Sequence, residues 1–137
     1  MSLGFLWDRT CQNAQCRPAG PAPQYSLAKS FPAFGPIGPL LATPDEFDDA
    51  DTIELGCAIN GEQVQNGTTA DMVFPVPEII ARLSRITPLL PGDVIFTGTP
   101  PGVGVGRVPQ RFLSPGDELV TYMRGVGEMR HRMQAGG

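Results

Sequence analysis

The chain has 137 residues, a length that suits one domain with a single core. Apolar residues make up 41% of it and charged residues 18%, which excludes the disordered class. The net charge is −4 with scattered arginines, which argues against nucleic-acid binding, and no apolar run approaches the ~20 residues of a membrane span.

Residues 1–24 read as an irregular N-terminal arm. The stretch "CQNAQCRPAGPAPQ" (11–24) is polar, rich in proline and without a period. No basic region followed by an apolar stretch marks a secretory signal. Cys11, Cys16 and Cys57 are an odd set without a framework spacing, which points to a reducing, cytoplasmic setting. The Cys11–Cys16 spacing does not match a zinc knuckle, and no zinc is expected.

From residue 25 to 137 the text reads as one folded, mainly β domain. The 17 glycines and 15 prolines favour short strands and tight turns over long helices. "YSLAKSFPAFGPIGPLL" (25–41) predicts an ordered, irregular loop in which Phe31, Phe34 and Ile37 seek burial. "TPDEFDDAD" (43–51) predicts an exposed acidic turn without calcium-loop spacing. In 51–67, Ile53, Leu55, Cys57 and Ile59 alternate at period two. Asn60-Gly61 then supplies a two-residue hairpin turn, with a short return strand closed by Asn66-Gly67. One helix is expected in 74–86, its main body near 77–87. Pro77 falls in the first turn, Ile79, Ile80, Leu83 and Ile86 on one face, and Arg82 and Arg85 on the other. Further strands are expected at 93–98, 117–124 and 126–133. "LLPGDVI" (89–95) and "LSPGDEL" (113–119) share one grammar, a Pro-Gly type II turn that launches a strand from an Asp. The architecture these elements build is α+β, a mixed β-roll or sandwich.

Few residues offer chemistry. His131 is the single histidine and reads as an exposed tail residue between Arg130 and Arg132. No serine lies in a nucleophile elbow, and no His-Glu or paired-Cys metal motif occurs. Lys29 is the single lysine. Flanked by Leu27, Ala28 and Phe31, it can hold a carboxylate or enolate as a point charge, or extend its ammonium to solvent. At the end of the predicted strand 93–98, Gly98 leaves backbone room for a ligand. Thr99 adds a hydroxyl, and Pro100-Pro101 stiffen the exit. That corner suits a carboxylate; it also suits a plain tight turn.

Four segments, in order, resemble the fumarylacetoacetate hydrolase family. They are "LAKSFPAFGPIGP" (27–39), "INGEQVQNGTTADMVFPVPEIIARLS" (59–84), "LLPGDVIFTGTPPGVG" (89–104) and "LSPGDELVTYMRGVGEM" (113–129). The resemblance implies a mixed β-roll of the family's C-terminal type and a homodimer or higher oligomer. It implies action on short oxo-acids and dicarboxylates by C–C bond hydrolysis, decarboxylation or keto–enol isomerisation through an enolate. Lys29 matches the family's catalytic lysine, and Gly98 and Thr99 its carboxylate-contacting corner. The resemblance also implies Mg²⁺ or Mn²⁺ held by a Glu-x-Glu pair and an Asp upstream of the lysine. No such metal ligands are found here: "WDRTCQNAQC" (7–16) does not match, and neither does the family's upstream His/Glu proton-transfer pair. The expectation is therefore the C-terminal part of a metal-dependent enzyme, incomplete as this chain alone. The alternative is a catalytically silent β-roll used for binding or assembly.

Overall fold

The computed structural model describes residues 34–135. Lys29, Phe31, Cys11 and Cys16, together with the arm assigned to 1–24, lie outside the described residues. The centre of the fold is a four-stranded antiparallel sheet. Its strands are β1 (Glu54–Ile59), β2 (Glu62–Thr68), β3 (Glu118–Met123) and β4 (Gly127–Arg132), in the order β2-β1-β3-β4. A single α-helix, α1 (Val76–Leu83), is described between β2 and β3.

The hairpin β1–β2 turns where expected. Asn60 and Gly61 have φ of 50° and 85°, the left-handed values that a type I′ turn demands. Ile53, Leu55, Cys57 and Ile59 are all buried, as their alternation predicts. They meet Val64, Leu113 and Leu119, with Met133 packed against the same cluster. The return strand is longer than expected and runs through Asn66-Gly67 to Thr68. It also carries a bulge: Ile59 faces Glu62 and Ala58 faces Gln63, but Cys57 faces Gln65. An extra residue on one strand shifts the inside–outside alternation of the residues after it, and Val64 and Gln65 are consequently both buried. On the opposite face of the sheet, Gly56 lies between Asn66 and Tyr122. Its bare Cα lets Tyr122 reach across β1, where the hydroxyl accepts from Gln63 Nε2 at 2.7 Å and donates to Asn66 Oδ1 at 3.2 Å. A Cβ on Gly56 would sit 2.6 Å from that hydroxyl oxygen.

The two Pro-Gly-Asp turns are built alike. Gly92 and Gly116 have φ of 96° and 94°. In each turn the Asp carboxylate accepts from the N–H three residues back: Leu90 to Asp93 at 2.8 Å, Ser114 to Asp117 at 2.7 Å. Each Asp N–H returns a bond to that same residue's carbonyl. Their sequels differ. After Asp117 the chain enters β3, which has β1 and β4 as neighbours. After Asp93 the chain is extended, but no strand forms, which corrects the expectation for 93–98. The reason is a missing partner: residues 94–98 make no hydrogen bond among the described residues, and a strand requires a ladder as well as β-forming side chains.

Helix α1 starts as predicted, with Pro77 in its first turn, but ends at Leu83. Beyond it Ile86 and Thr87 fold their N–H groups back onto the Leu83 carbonyl. Its apolar stripe is only partly covered. Val76, Ile79 and Leu83 are half-buried, no residue of α1 is fully buried, Ile80 is 44% exposed, and Ile86, past the helix end, is 85% exposed. Ile37, expected to seek burial, is also half exposed. The acidic turn 43–51 is largely exposed, as expected. His131 is no tail residue: it sits in β4 opposite Leu119, half-buried.

Asp117 anchors the far end of the sheet. Besides Ser114 N–H it accepts from Asn60 Nδ2 at 2.8 Å and from Arg111 at 2.8 Å, and Asn60 exchanges further bonds with Glu118. The Ser114 N–H, ahead of Asn60 and Arg111, holds the Asp117 carboxyl below its usual pKa. A depressed native pKa contributes stability that is complete above the unfolded value of 3.8 and is lost as pH falls through the lower native value. Asp117→Ala should therefore cost about 2–3 kcal/mol at pH 7, the weight of charge-assisted hydrogen bonds. In urea unfolding, the gap from wild type should close only below pH 4. In a separate test, Thr121→Val should raise stability by about 1 kcal/mol, because the Thr121 hydroxyl is buried with no hydrogen-bond partner among the described residues. Thermal unfolding of the valine variant checks this.

Candidate active site

The corner expected at residues 98–101 exists and opens on a cleft. Gly98 adopts φ of 103°, which turns the chain sharply after the extended run. Gly98 and Thr99 are exposed, and their N–H groups make no hydrogen bond among the described residues. The cleft beside them has a volume of about 260 Å³. Leu55, Phe74 and Ile79 line it on one side, Asp71 and the corner on the other. Asp71 is already engaged: its Oδ2 accepts the Thr68 N–H at 3.0 Å and closes the turn Thr69–Asp71. Thr69 secures that turn, taking the Ile53 N–H at 2.9 Å and donating to the Ala50 carbonyl at 3.1 Å.

Gln65 holds the corner in place, and sequence reasoning missed it. Its Nε2 donates to Thr99 Oγ1 at 2.9 Å and to the Pro100 carbonyl at 2.6 Å. Its Oε1 accepts the Cys57 thiol at 3.1 Å. Both donors and the carbonyl are thus satisfied in a side chain only 3% exposed. Strict alternation from the hairpin turn assigns Gln65 to the outer face; the bulge turns it inward. Cys57 is fully buried, and burial pushes its thiol up to about 12, so it stays protonated as a donor. A second signal lies in Gly102, at φ of 109°, where a Cβ would stand 2.1 Å from the Val64 carbonyl oxygen. The far end of the corner thus packs directly against the bulge.

Of the predicted site residues, the structure places Gly98 and Thr99 together at the cleft; Lys29 lies outside the described residues. Among the described residues no three His, Cys, Asp or Glu side chains gather at metal-binding distance. The described residues by themselves therefore do not form a divalent-ion site of the implied kind. No helix among the described residues is long and apolar enough to cross a membrane. Beside the cleft, a groove of about 300 Å³ runs between α1 and residues 92–97, with Ile37, Leu41, Ile80 and Val94 on its walls.

The chain was compared with known proteins. The model for the fumarylacetoacetate (FAA) hydrolase C-terminal region matches residues 5–134. Mitochondrial oxaloacetate tautomerase FAHD2A of Homo sapiens is 46% identical over 104 residues, which is 76% of this chain and 33% of the human protein. A Mycobacterium smegmatis structure named for HpcE superposes with a TM-score of 0.84 at 59% identity, over 88% of this chain and 45% of that one. Maleylpyruvate hydrolase from Sphingobium sp. SYK-6, in complex with manganese(II) and pyruvate, gives a TM-score of 0.68 at 35% identity, over 76% of this chain and 37% of that one. The chain thus spans a third to under half the length of these relatives.

Gly102→Ala tests whether the corner and the bulge are one rigid unit. It should destabilise the fold by roughly 2–4 kcal/mol, since it adds both a backbone clash and a strained φ. Denaturant titration should show this, whereas Gly98→Ala, with no atom within 4 Å of the added methyl, should cost less.

Proposed function

Because the chain belongs to the fumarylacetoacetate hydrolase family, we propose that it is the carboxylate-binding C-terminal part of an enzyme acting on short oxo-acids or dicarboxylates. The observation that carries this is the corner itself: exposed Gly98 and Thr99, whose N–H groups make no hydrogen bond among the described residues, with the Thr99 hydroxyl braced by Gln65 at the edge of a largely apolar cleft. Fixed donors aimed at one place hold an anion without the cost of reorganising around it. Gly98 and Thr99 receive a substrate carboxylate. Lys29 supplies the positive charge that steadies the substrate and the enolate formed as its neighbouring bond breaks or its proton moves. C–C hydrolysis, decarboxylation and keto–enol isomerisation share that enolate.

Chain length supports the placement of Lys29. Gly35 lies against Phe96, two residues before Gly98. Lys29 is six residues upstream of Gly35, a reach of at most about 20 Å for extended chain. The names of the relatives agree with the substrate class: one is an oxaloacetate tautomerase, and another was solved with pyruvate and manganese(II). The Mg²⁺ or Mn²⁺ of such an enzyme would require carboxylates from outside the described residues. On this reading the described residues form one part of a larger site. The backbone at 94–98, unpaired among the described residues, and the partly exposed stripe of α1 favour assembly as a homodimer or higher oligomer. A free, buried Cys57 suits a reducing compartment such as the cytoplasm. The lack of a carboxylate trio among the described residues also supports a second reading, a binding module without turnover.

Isothermal titration separates these readings from a plain structural turn. Pyruvate should bind the 137-residue chain, and both Lys29→Met and Thr99→Val should weaken it about tenfold, one charge-assisted hydrogen bond each. Mn²⁺ alone should show no micromolar site. Pyruvate binding that is indifferent to both substitutions would remove the proposed roles.

A further inference from the structure

We infer that Gln65 is a positioning residue that fixes the direction of the Thr99 hydroxyl proton and so makes the corner a donor-only site, selective for ligands that present acceptor oxygens. The inference rests on the oxo-acid reading of the cleft and adds to it the residue that sets which end of a substrate is accepted.

A threonine hydroxyl carries one proton and can accept as well as donate. On its own it would serve either kind of ligand group. Here one partner is already decided. The Gln65 atom facing Thr99 Oγ1 is the amide nitrogen, which only donates. Thr99 Oγ1 must therefore accept from beneath, and its own proton is directed to the exposed side, toward the cleft.

The orientation of the amide is set by its other contacts. Nε2 lies 2.6 Å from the Pro100 carbonyl oxygen. Reversing the amide would set two carbonyl oxygens at that distance, a repulsive contact, and would turn a second nitrogen donor onto the Cys57 thiol. As built, Oε1 accepts the thiol proton. The Pro100 and Cys57 contacts thus choose one orientation, and the bulge between Cys57 and Ala58 turns the side chain inward to make them. Thr99 O–H then joins the N–H groups of Gly98 and Thr99 as donors. At these three groups a carboxylate or keto oxygen finds partners, and an N–H donor finds competitors.

The consequence is measurable as selectivity, which a merely structural role would not create. In the 137-residue chain, pyruvate should bind at least about tenfold more tightly than pyruvamide, its neutral amide analogue, which adds donors where the acid has acceptors. Gln65→Met keeps the length and removes the amide. It should free the hydroxyl to turn and cut pyruvate affinity about tenfold, leaving pyruvamide nearly unchanged. Gln65→Glu, measured at pH 8, reverses the relation: its carboxylate accepts the Thr99 proton and brings negative charge, so pyruvate affinity should fall by about a hundredfold and the preference should disappear. Thr99→Ser, which retains the hydroxyl, should keep the preference.

A ligand-free measurement stands beside these in case a Gln65 variant does not fold. In NMR spectra of the wild-type chain, the Gln65 side-chain NH₂ protons should exchange slowly with solvent, and Thr99→Val should shift one of the two strongly. Rapid exchange of both protons, or an unchanged pair in Thr99→Val, would overturn the role of Gln65. So would wild-type selectivity in Gln65→Met. Failure of pyruvate to bind the wild-type chain would instead overturn the functional reading, and the NMR result would still decide the geometry.

Discussion

A buried amide ties the sheet to the loop that carries the corner. Gln65 extends from the sheet, where Cys57 donates to its carbonyl, to the loop, where Thr99 and Pro100 take its two protons. A side chain so enclosed cannot recover a lost bond from water, so each of the three contacts is obligatory once the others exist. The bulge in β2 makes the arrangement possible, and Gly102 allows the loop to lie against that bulge. The corner is braced by the sheet, although it lies in a run with no ladder among the described residues.

This coupling matters because the surroundings are unevenly finished. One side of the structure is a paired sheet with a closed core of Cys57, Ile59, Val64, Leu113 and Leu119. From α1 through residues 92–98, apolar side chains are exposed and the backbone of 94–98 has no partner among the described residues. The cleft lies on the boundary. A corner braced from the finished side keeps its donors aimed whether or not the open side is covered. Covering that side would exclude water and strengthen every charge interaction in the cleft. On the proposed reading, the described residues hold the carboxylate-binding corner of the site ready.

Much of the sheet was legible in the residues. Asn60-Gly61 announced its turn, the apolar alternation from Ile53 to Ile59 its inner face, and the two Pro-Gly-Asp units their identical capping. These features depend on neighbours within a few positions. Val94–Gly98 did not form the expected strand, because its residue types suit one while its pairing depends on distant backbone. The stripe on α1 was correctly read, but a stripe does not say what will cover it. Gln65 was hidden for a different reason. A bulge shifts the inside–outside count by one, and "EQVQNG" carries no mark of where the extra residue falls. Gln65 could have been suspected only as a polar residue next to Val64 in a hairpin otherwise bent on burial. Gly98 and Thr99 were legible as a corner.

The most direct test of the account is a crystal structure of the 137-residue chain soaked with pyruvate. The account predicts the pyruvate carboxylate against the Gly98 and Thr99 N–H groups, the Thr99 hydroxyl donating to it, Gln65 Nε2 still on Thr99 Oγ1, and the Lys29 ammonium on the same anion. Pyruvate bound elsewhere, or a Lys29 ammonium on the far side of the molecule from Thr99, would contradict it.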